Sequence, residues 1–300
     1  MKTNVYQMVT DKIVEQLEKG IVPWQKPWTG AGIADGGAIN YVSRRPYSML
    51  NQMLLGREGE WLSFKQIQDC GGKIKKGAKS SIVVFYKIMK YVEKQQESMG
   101  ETSEEKKEKI HLVPVLRYYN VFHIDDCTGI ESKITKEEIE GKKHEPIETA
   151  EAVINDYISR EKSLTFKNDQ PSDKACYSPV EDLVVVPMMN QYDIVEEYYS
   201  TTFHELTHST MKKSRCDRSG ETGMDAALLS SEKYSREELV AEIGSAMLCN
   251  ATGIDSDKAF KNSVAYIQGW LSHIKSDNKA IVWASSRAEK AAKYIMNINE

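Results

Sequence analysis

The stretch from Thr201 to Met211, TTFHELTHSTM, constrains this chain more than any other. It contains H-E-x-x-H, and two histidines four apart share one face when the backbone is an α-helix. His204 and His208 can then offer two imidazole nitrogens to one metal ion, with Glu205 beside it. Apart from these three residues the stretch carries no charge and no proline, as a buried helix requires. A second stretch, Arg236-Glu237-Glu238-Leu239-Val240-Ala241-Glu242-Ile243-Gly244, is strongly helical in composition, and Glu238 and Glu242 lie four apart on one face. Leu239, Val240, Ile243, Met247 and Leu248 make this helix largely apolar, so a carboxylate on its buried side needs a partner. Glu238 is the expected third metal ligand, with Glu237 its competitor. Glu242 is expected to orient a ligand histidine from behind. Two neutral histidines, a carboxylate and an open fourth position suit one Zn2+ per chain. Such an ion lowers the pKa of its water, and Glu205 is placed to act as general base. The plainer alternatives are a hydrogen-bonded pair of histidines and an ordinary acidic helix face.

Composition bounds the rest. At 300 residues, with 40% hydrophobic and 28% charged side chains, the chain has the make-up of a globular protein of one or two domains. No run of about 18 apolar residues is present to span a membrane. The N-terminal amphipathic stretch, with Val5, Val9, Ile13 and Leu17 on one stripe, is interrupted by Asp11, Glu15 and Glu18 and does not read as a secretory signal. Cys70, Cys127, Cys176, Cys216 and Cys249 are scattered, without a CxxC, and read as reduced thiols in a cytoplasmic protein. The net charge of -4 divides unevenly, +5 over residues 1–125 and -9 over the remainder, which suggests two domains with different partners.

The pattern along the chain gives an α+β protein. A helix from the N-terminus stops at Gly20, and short helices are expected over 46–56 and 63–70. Ser81 to Tyr86 and Leu112 to Ile124 read as paired strands, separated by a charged insertion at about 93–110. A small mixed domain over 1–126, a linker over 127–145 and a mainly helical domain with a small sheet over 146–300 follow from this. Within the last, Leu183 to Pro187 reads as a short strand suited to pairing with an extended peptide along its edge. Further helices are expected from Ile147, from Val195, and over about 257–275 and 278–298.

The first half also combines aromatic and cationic side chains. Trp24, Trp28, Tyr41, Tyr47, Trp61 and Phe64 are interleaved with Lys26, Arg44, Arg45 and Lys65, and Lys73, Lys75, Lys76 and Lys79 follow in a glycine-punctuated loop. Single-strand binding needs faces on which bases stack and cations that track phosphates. The competing reading makes the aromatics a small domain's core and the lysines its solvated rim. An intermediate reading keeps Trp61 and Phe64 in the core while Arg44, Arg45, Lys73, Lys75, Lys76 and Lys79 meet phosphate, with Asn40 and Asn51 contacting bases or sugars, or capping turns.

Over nearly its full length the chain resembles the ArdC-type antirestriction proteins of plasmids and integrating elements. The resemblance runs through Val22 to Trp28, Asn40, Tyr47, Asn51, Trp61 to Gln66, Gly71 to Gly77 and Tyr119 to Phe122. It continues through Tyr177 to Pro179, Asp182 to Pro187, the His204–His208 motif, Tyr234 to Glu242 and Ala265 to Leu271. The acidic insertion is a departure from the family pattern. The resemblance implies an N-terminal domain that binds single-stranded DNA, followed by a zincin-like metallopeptidase domain. It favours the DNA reading for Trp24, Lys26, Trp28, Asn40, Arg44, Arg45, Tyr47, Asn51, Lys73, Lys75, Lys76 and Lys79. It implies a metal site of His204, His208 and Glu238 with Glu205 as base. Tyr234 is the candidate for stabilising the oxyanion of a tetrahedral intermediate, with Tyr177 and His273 as alternatives. The expected function is antirestriction through DNA binding joined to peptide hydrolysis of an unidentified substrate. The alternatives are a cytoplasmic regulatory protease and a non-catalytic DNA-protection protein.

Overall fold

In the computed structural model, residues 4–24, 37–93, 109–134, 146–218, 231–255 and 264–298 are described. The first helix, α1 (Val5–Glu18), begins where Asn4 Oδ1 accepts the backbone N–H groups of Tyr6 and Gln7. Its stripe buries Val9, Thr10, Ile13 and Leu17. A mixed sheet follows, with strands β1 (Ala38–Asn40), β2 (Gly59–Ser63), β4 (Ser81–Glu93) and β5 (Lys109–His123) in the order β1-β2-β5-β4. β1 is parallel to β2, and the other pairs are antiparallel. The short strands β3 (Lys73–Ile74) and β6 (Cys127–Thr128) pair apart from it.

Two short helices brace this sheet. α2 (Met49–Leu55) is buried along its length, and Asn51 uses its amide to accept Val84 N–H at 2.7 Å and to donate to Val84 C=O at 3.0 Å. α3 (Phe64–Asp69) is started by a capping box between Ser63 and Gln66.

Among the described residues the second half contains α4 (Pro146–Arg160), a three-stranded sheet and four more helices. These are α5 (Val195–Ser209), α6 (Ser231–Thr252), α7 (Val264–Ser276) and α8 (Ala280–Ile295). The sheet comprises β7 (Thr165–Lys167), β8 (Cys176–Ser178) and β9 (Leu183–Val185) in the order β7-β9-β8. The chain is thus α+β, as expected. One apolar core joins its halves: Val9, Ile13, Leu17, Trp24, Met53, Val84 and Leu116 share a cluster with Phe203, Leu206, Val240, Ile243 and Ile281. Thr10 Oγ1 donates to Asn278 C=O at 3.0 Å, and Lys275 pairs with Glu18 at 2.7 Å across the same contact.

Several expectations change. The Leu183–Pro187 strand has no free edge, because β9 is the central strand and pairs on both sides. β8 is the edge that lies against α5. Phe64 is not core but 56% exposed, because it opens α3 on the outside of the sheet. β4 and β5 extend to Glu93 and from Lys109, while the tip of the charged insertion and most of the expected linker lie outside the described residues.

Candidate metal centre

The site is made where α5 and α6 cross closely. Gly244 permits the approach: a Cβ there would stand 2.6 Å from Thr207 Cγ2. The contact brings the carboxylates of α6 beneath the histidines of α5. His204 Nε2 and His208 Nε2 are 3.1 Å apart. Glu238 Oε2 is 3.4 Å from His204 Nε2, and its Oε1 is 3.4 Å from His208 Nε2. One donor atom from each of the three residues lies within 4.8 Å of the others, and no other such group is found among the described residues.

This donor set fits a divalent cation. Two imidazole nitrogens and a carboxylate turn their lone pairs to one point, an arrangement that repels itself unless a proton or a cation sits between them. Carboxylates also stand behind both rings, just beyond hydrogen-bond length. His204 Nδ1 is 3.8 Å from Glu242 Oε1, and His208 Nδ1 is 3.6 Å from Glu237 Oε1. Carboxylates behind the rings favour the Nδ1–H tautomer, which leaves each Nε2 as a ligand. Burial pushes the Glu238 carboxyl up, but hydrogen bonds from His204 and His208 outweigh it and hold Glu238 well below the carboxylate range. Burial works against a charged His208, yet Glu237 and Glu238 hold its imidazolium up to about 10.

Glu237 therefore stands behind a ring and not at the point where the donors converge, which separates it from Glu238. Adjacent residues on a helix are turned by about 100°. Glu237 is fully buried and clasped by Arg218, with Nη2 at 2.7 Å from Oε1 and Nε at 3.2 Å from Oε2. Arg218 also donates to Thr210 Oγ1 and Thr207 C=O. Sequence reasoning missed Arg218. No local pattern marks it, since it is brought under α5 by the turns after Ser209.

Glu205, between the two histidines in sequence, is buried at 8% exposure. Burial raises its carboxyl above the ordinary range, against the pull of His208 and His204, and the backbone N–H of Tyr177 donates to it. Tyr177 itself is committed elsewhere, its hydroxyl donating to Asp182 Oδ1 at 3.0 Å. His273 lies on α7, a helix whose neighbours are α1 and α8. The side chain of Tyr234 lies outside the described residues.

The residues expected to meet DNA scatter. Trp24 is fully buried, its ring edge-on to Trp270 at 6.3 Å, and has no face for a base. Asn51 is buried and spends its amide on Val84. Tyr47 is 9% exposed, and Asn40 caps its own turn by accepting from Val42 and Ser43. Arg44 pairs with the buried Glu60. Arg45, Lys73, Lys75, Lys76 and Lys79 are on the surface, with Lys75 Nζ donating to Asp125 C=O at 2.6 Å. Lys26 and Trp28 lie outside the described residues.

Two family models divide the chain between them. The N-terminal domain of anti-restriction factor ArdC matches residues 3–122, and a zincin-like metallopeptidase matches residues 154–287. The crystal structure of metal-free antirestriction ArdC protein from the R388 plasmid superposes with a TM-score of 0.70 at 26% identity, covering 99% of this chain and 100% of that one. The chain belongs to the ArdC type. The Mn(II)-bound form of the R388 protein aligns with a TM-score of 0.68 at 27% identity, over 99% of this chain and 98% of that one. A divalent-metal site is thereby indicated for this ArdC-type chain, and His204, His208 and Glu238 are the group among the described residues that could hold the ion.

Curated relatives include the DNA primase TraC of Escherichia coli, 27% identical over 306 residues. The alignment takes in 99% of the ArdC-type chain but only 27% of that primase. The y4eC protein of Sinorhizobium fredii (strain NBRC 101917 / NGR234) is 27% identical over 303 residues, 98% of this chain and 92% of its own. Among the described residues no helix is long and apolar enough to cross a membrane.

Proposed function

We propose that this chain is a mobile-element antirestriction protein that binds single-stranded DNA and hydrolyses peptide bonds at a zinc site. In this reading the DNA-binding domain spans 1–126 and the metallopeptidase domain 146–300. The observation that carries the reading is the meeting of His204 Nε2, His208 Nε2 and the Glu238 carboxylate beside a buried Glu205.

His204, His208 and Glu238 would hold the ion, and Glu242 and Glu237 would orient the two rings. Zinc, when bound, supplies an acidified water and polarises the substrate carbonyl. Glu205 takes the proton at its carboxylate, and its raised pKa makes it a stronger base than an exposed glutamate. The same carboxyl then delivers the proton to the leaving amine. β8, the edge strand against α5, offers backbone groups along which an extended peptide can lie beside Glu205. Tyr234 remains the proposed oxyanion donor.

The test compares wild type, Glu238→Ala and Glu205→Gln. Metal content by mass spectrometry should be one zinc per wild-type chain, lost in Glu238→Ala and kept in Glu205→Gln. Peptide-library hydrolysis should fall by about 10²–10⁴ in Glu205→Gln. Wild type that takes up zinc but cleaves nothing at a rate sensitive to Glu205 would leave a binding protein on a peptidase fold.

A further inference from the structure

Trp24 is buried, whereas among the described residues the paired strands β4 and β5 carry a group of exposed aromatic side chains. Directly paired residues point to one face of a sheet, so Val83 and Tyr119, Phe85 and Arg117, and Lys87 and Val115 share a side. At its inner end this side is core, where Val83 and Val121 pack with Tyr47 and Trp61. Two residues further along it emerges. Phe85 is 46% exposed and Tyr119 49%, although each ring is held by its neighbours. Phe85 lies 6.3 Å from the buried Tyr47 ring and 6.0 Å from that of Tyr119. Lys87 and Arg117, both exposed, flank the pair on the same side. No aspartate or glutamate occurs from Ser81 to Ile88 or from Val113 to Phe122.

We infer that Phe85 and Tyr119, flanked by Lys87 and Arg117, form the base-stacking platform on which single-stranded DNA lies. This rests on the DNA-binding part of the proposed function and gives it a location. Exposed rings fixed by a buried third ring lose little conformational freedom on meeting a base, and every base has a face to offer. Lys87 and Arg117, on strand segments that carry no aspartate or glutamate, suit a chain of phosphates. Paired bases are already stacked inside a duplex, so the surface favours single strands.

The test is fluorescence anisotropy of a labelled oligothymidylate with the full chain, together with ultraviolet crosslinking and mapping of the attached peptides. Phe85→Ala/Tyr119→Ala should weaken single-strand binding by roughly 5- to 150-fold per lost stack. Phe85→Tyr and Tyr119→Phe should bind as wild type does. Lys87→Ala/Arg117→Ala should weaken binding and lower the slope of log K against log salt by about 1 for each phosphate contact removed. Crosslinks should fall on the peptides that carry Phe85 or Tyr119.

Unchanged metal content and thermal melting certify the fold of each variant. Wild type that binds single strands, with a double alanine variant that binds equally well, would overturn the platform and leave DNA binding to another surface such as the Lys73–Lys79 loop. Wild type with no affinity for single strands would overturn both this inference and the DNA-binding reading beneath it. Hairpin variants that keep DNA affinity but change self-association in sedimentation would assign the face to a protein contact instead.

Discussion

Arg218 holds Glu237 in a two-pronged grip beneath the metal site, both side chains buried, with Glu237 in turn 3.6 Å from His208 Nδ1. Two steps thus connect the Arg218 guanidinium, through Glu237, to the His208 ring. Arg218→Met would leave Glu237 as a buried charge without its cation. We expect a loss of about 3–5 kcal/mol in unfolding free energy and a drop of about 10- to 100-fold in metal affinity. Chemical denaturation and competition with a chromophoric chelator measure the two effects separately.

Gly244 is the residue that lets α6 approach α5. Gly244→Ala would drive a methyl group into Thr207, whose side chain is fully buried and donates to Phe203 C=O at 2.7 Å. Neither helix can yield locally, so the crossing must widen. The expected cost is about 1–3 kcal/mol. The metal should also be held more weakly, because Glu238 and the two histidines sit on opposite sides of that crossing. A variant as stable as wild type with unchanged chelator competition would show that the helices need not touch.

Asp182 ties β9 to the turns after α5. Burial alone would raise its pKa, but hydrogen bonds from Arg215, Lys212 and Ser163 outweigh burial and hold the carboxyl well below the usual carboxylate range. A depressed folded pKa adds stability that is present above the unfolded value of about 3.9 and lost as pH falls further. Asp182→Asn should therefore cost about 1.5–3 kcal/mol at pH 7. The gap between variant and wild type should narrow as pH falls below about 4. Urea unfolding across that range checks the sign.

Asn51 closes the outer side of β4 at Val84 by supplying both hydrogen-bond partners that a neighbouring strand would have provided. Asn51→Leu keeps the volume but orphans one buried N–H and one buried C=O. A loss of about 1–3 kcal/mol per group is expected, read as a lower urea midpoint. Uptake of a divalent metal at neutral pH should be unaffected while the chain remains folded.

Local order along the chain determined much of this. A 3.6-residue period is a property of neighbours in sequence, so the stripe of α1, the shared face of His204 and His208, and the common helix of Glu238 and Glu242 were all readable in advance. The same holds for the β4–β5 pair, whose β-branched and aromatic runs are long. Strands of three residues, β1, β7 and β8 among them, carry too few alternations to be read, and the central place of β9 is not legible because pairing on both sides leaves no mark on five apolar letters.

What only the tertiary structure decided is where side chains of like chemistry end up. Trp24 and Phe85 are both large aromatics near lysines in the sequence, yet one is sealed against Trp270 and the other stands half open on a hairpin. Glu237 and Glu238 are chemically identical, and the crossing of α5 on α6 alone turns one toward the point shared by the histidines and the other toward Arg218. Burial and convergence arise from contacts between residues distant in the chain, and local periodicity carries no information about which distant partner arrives.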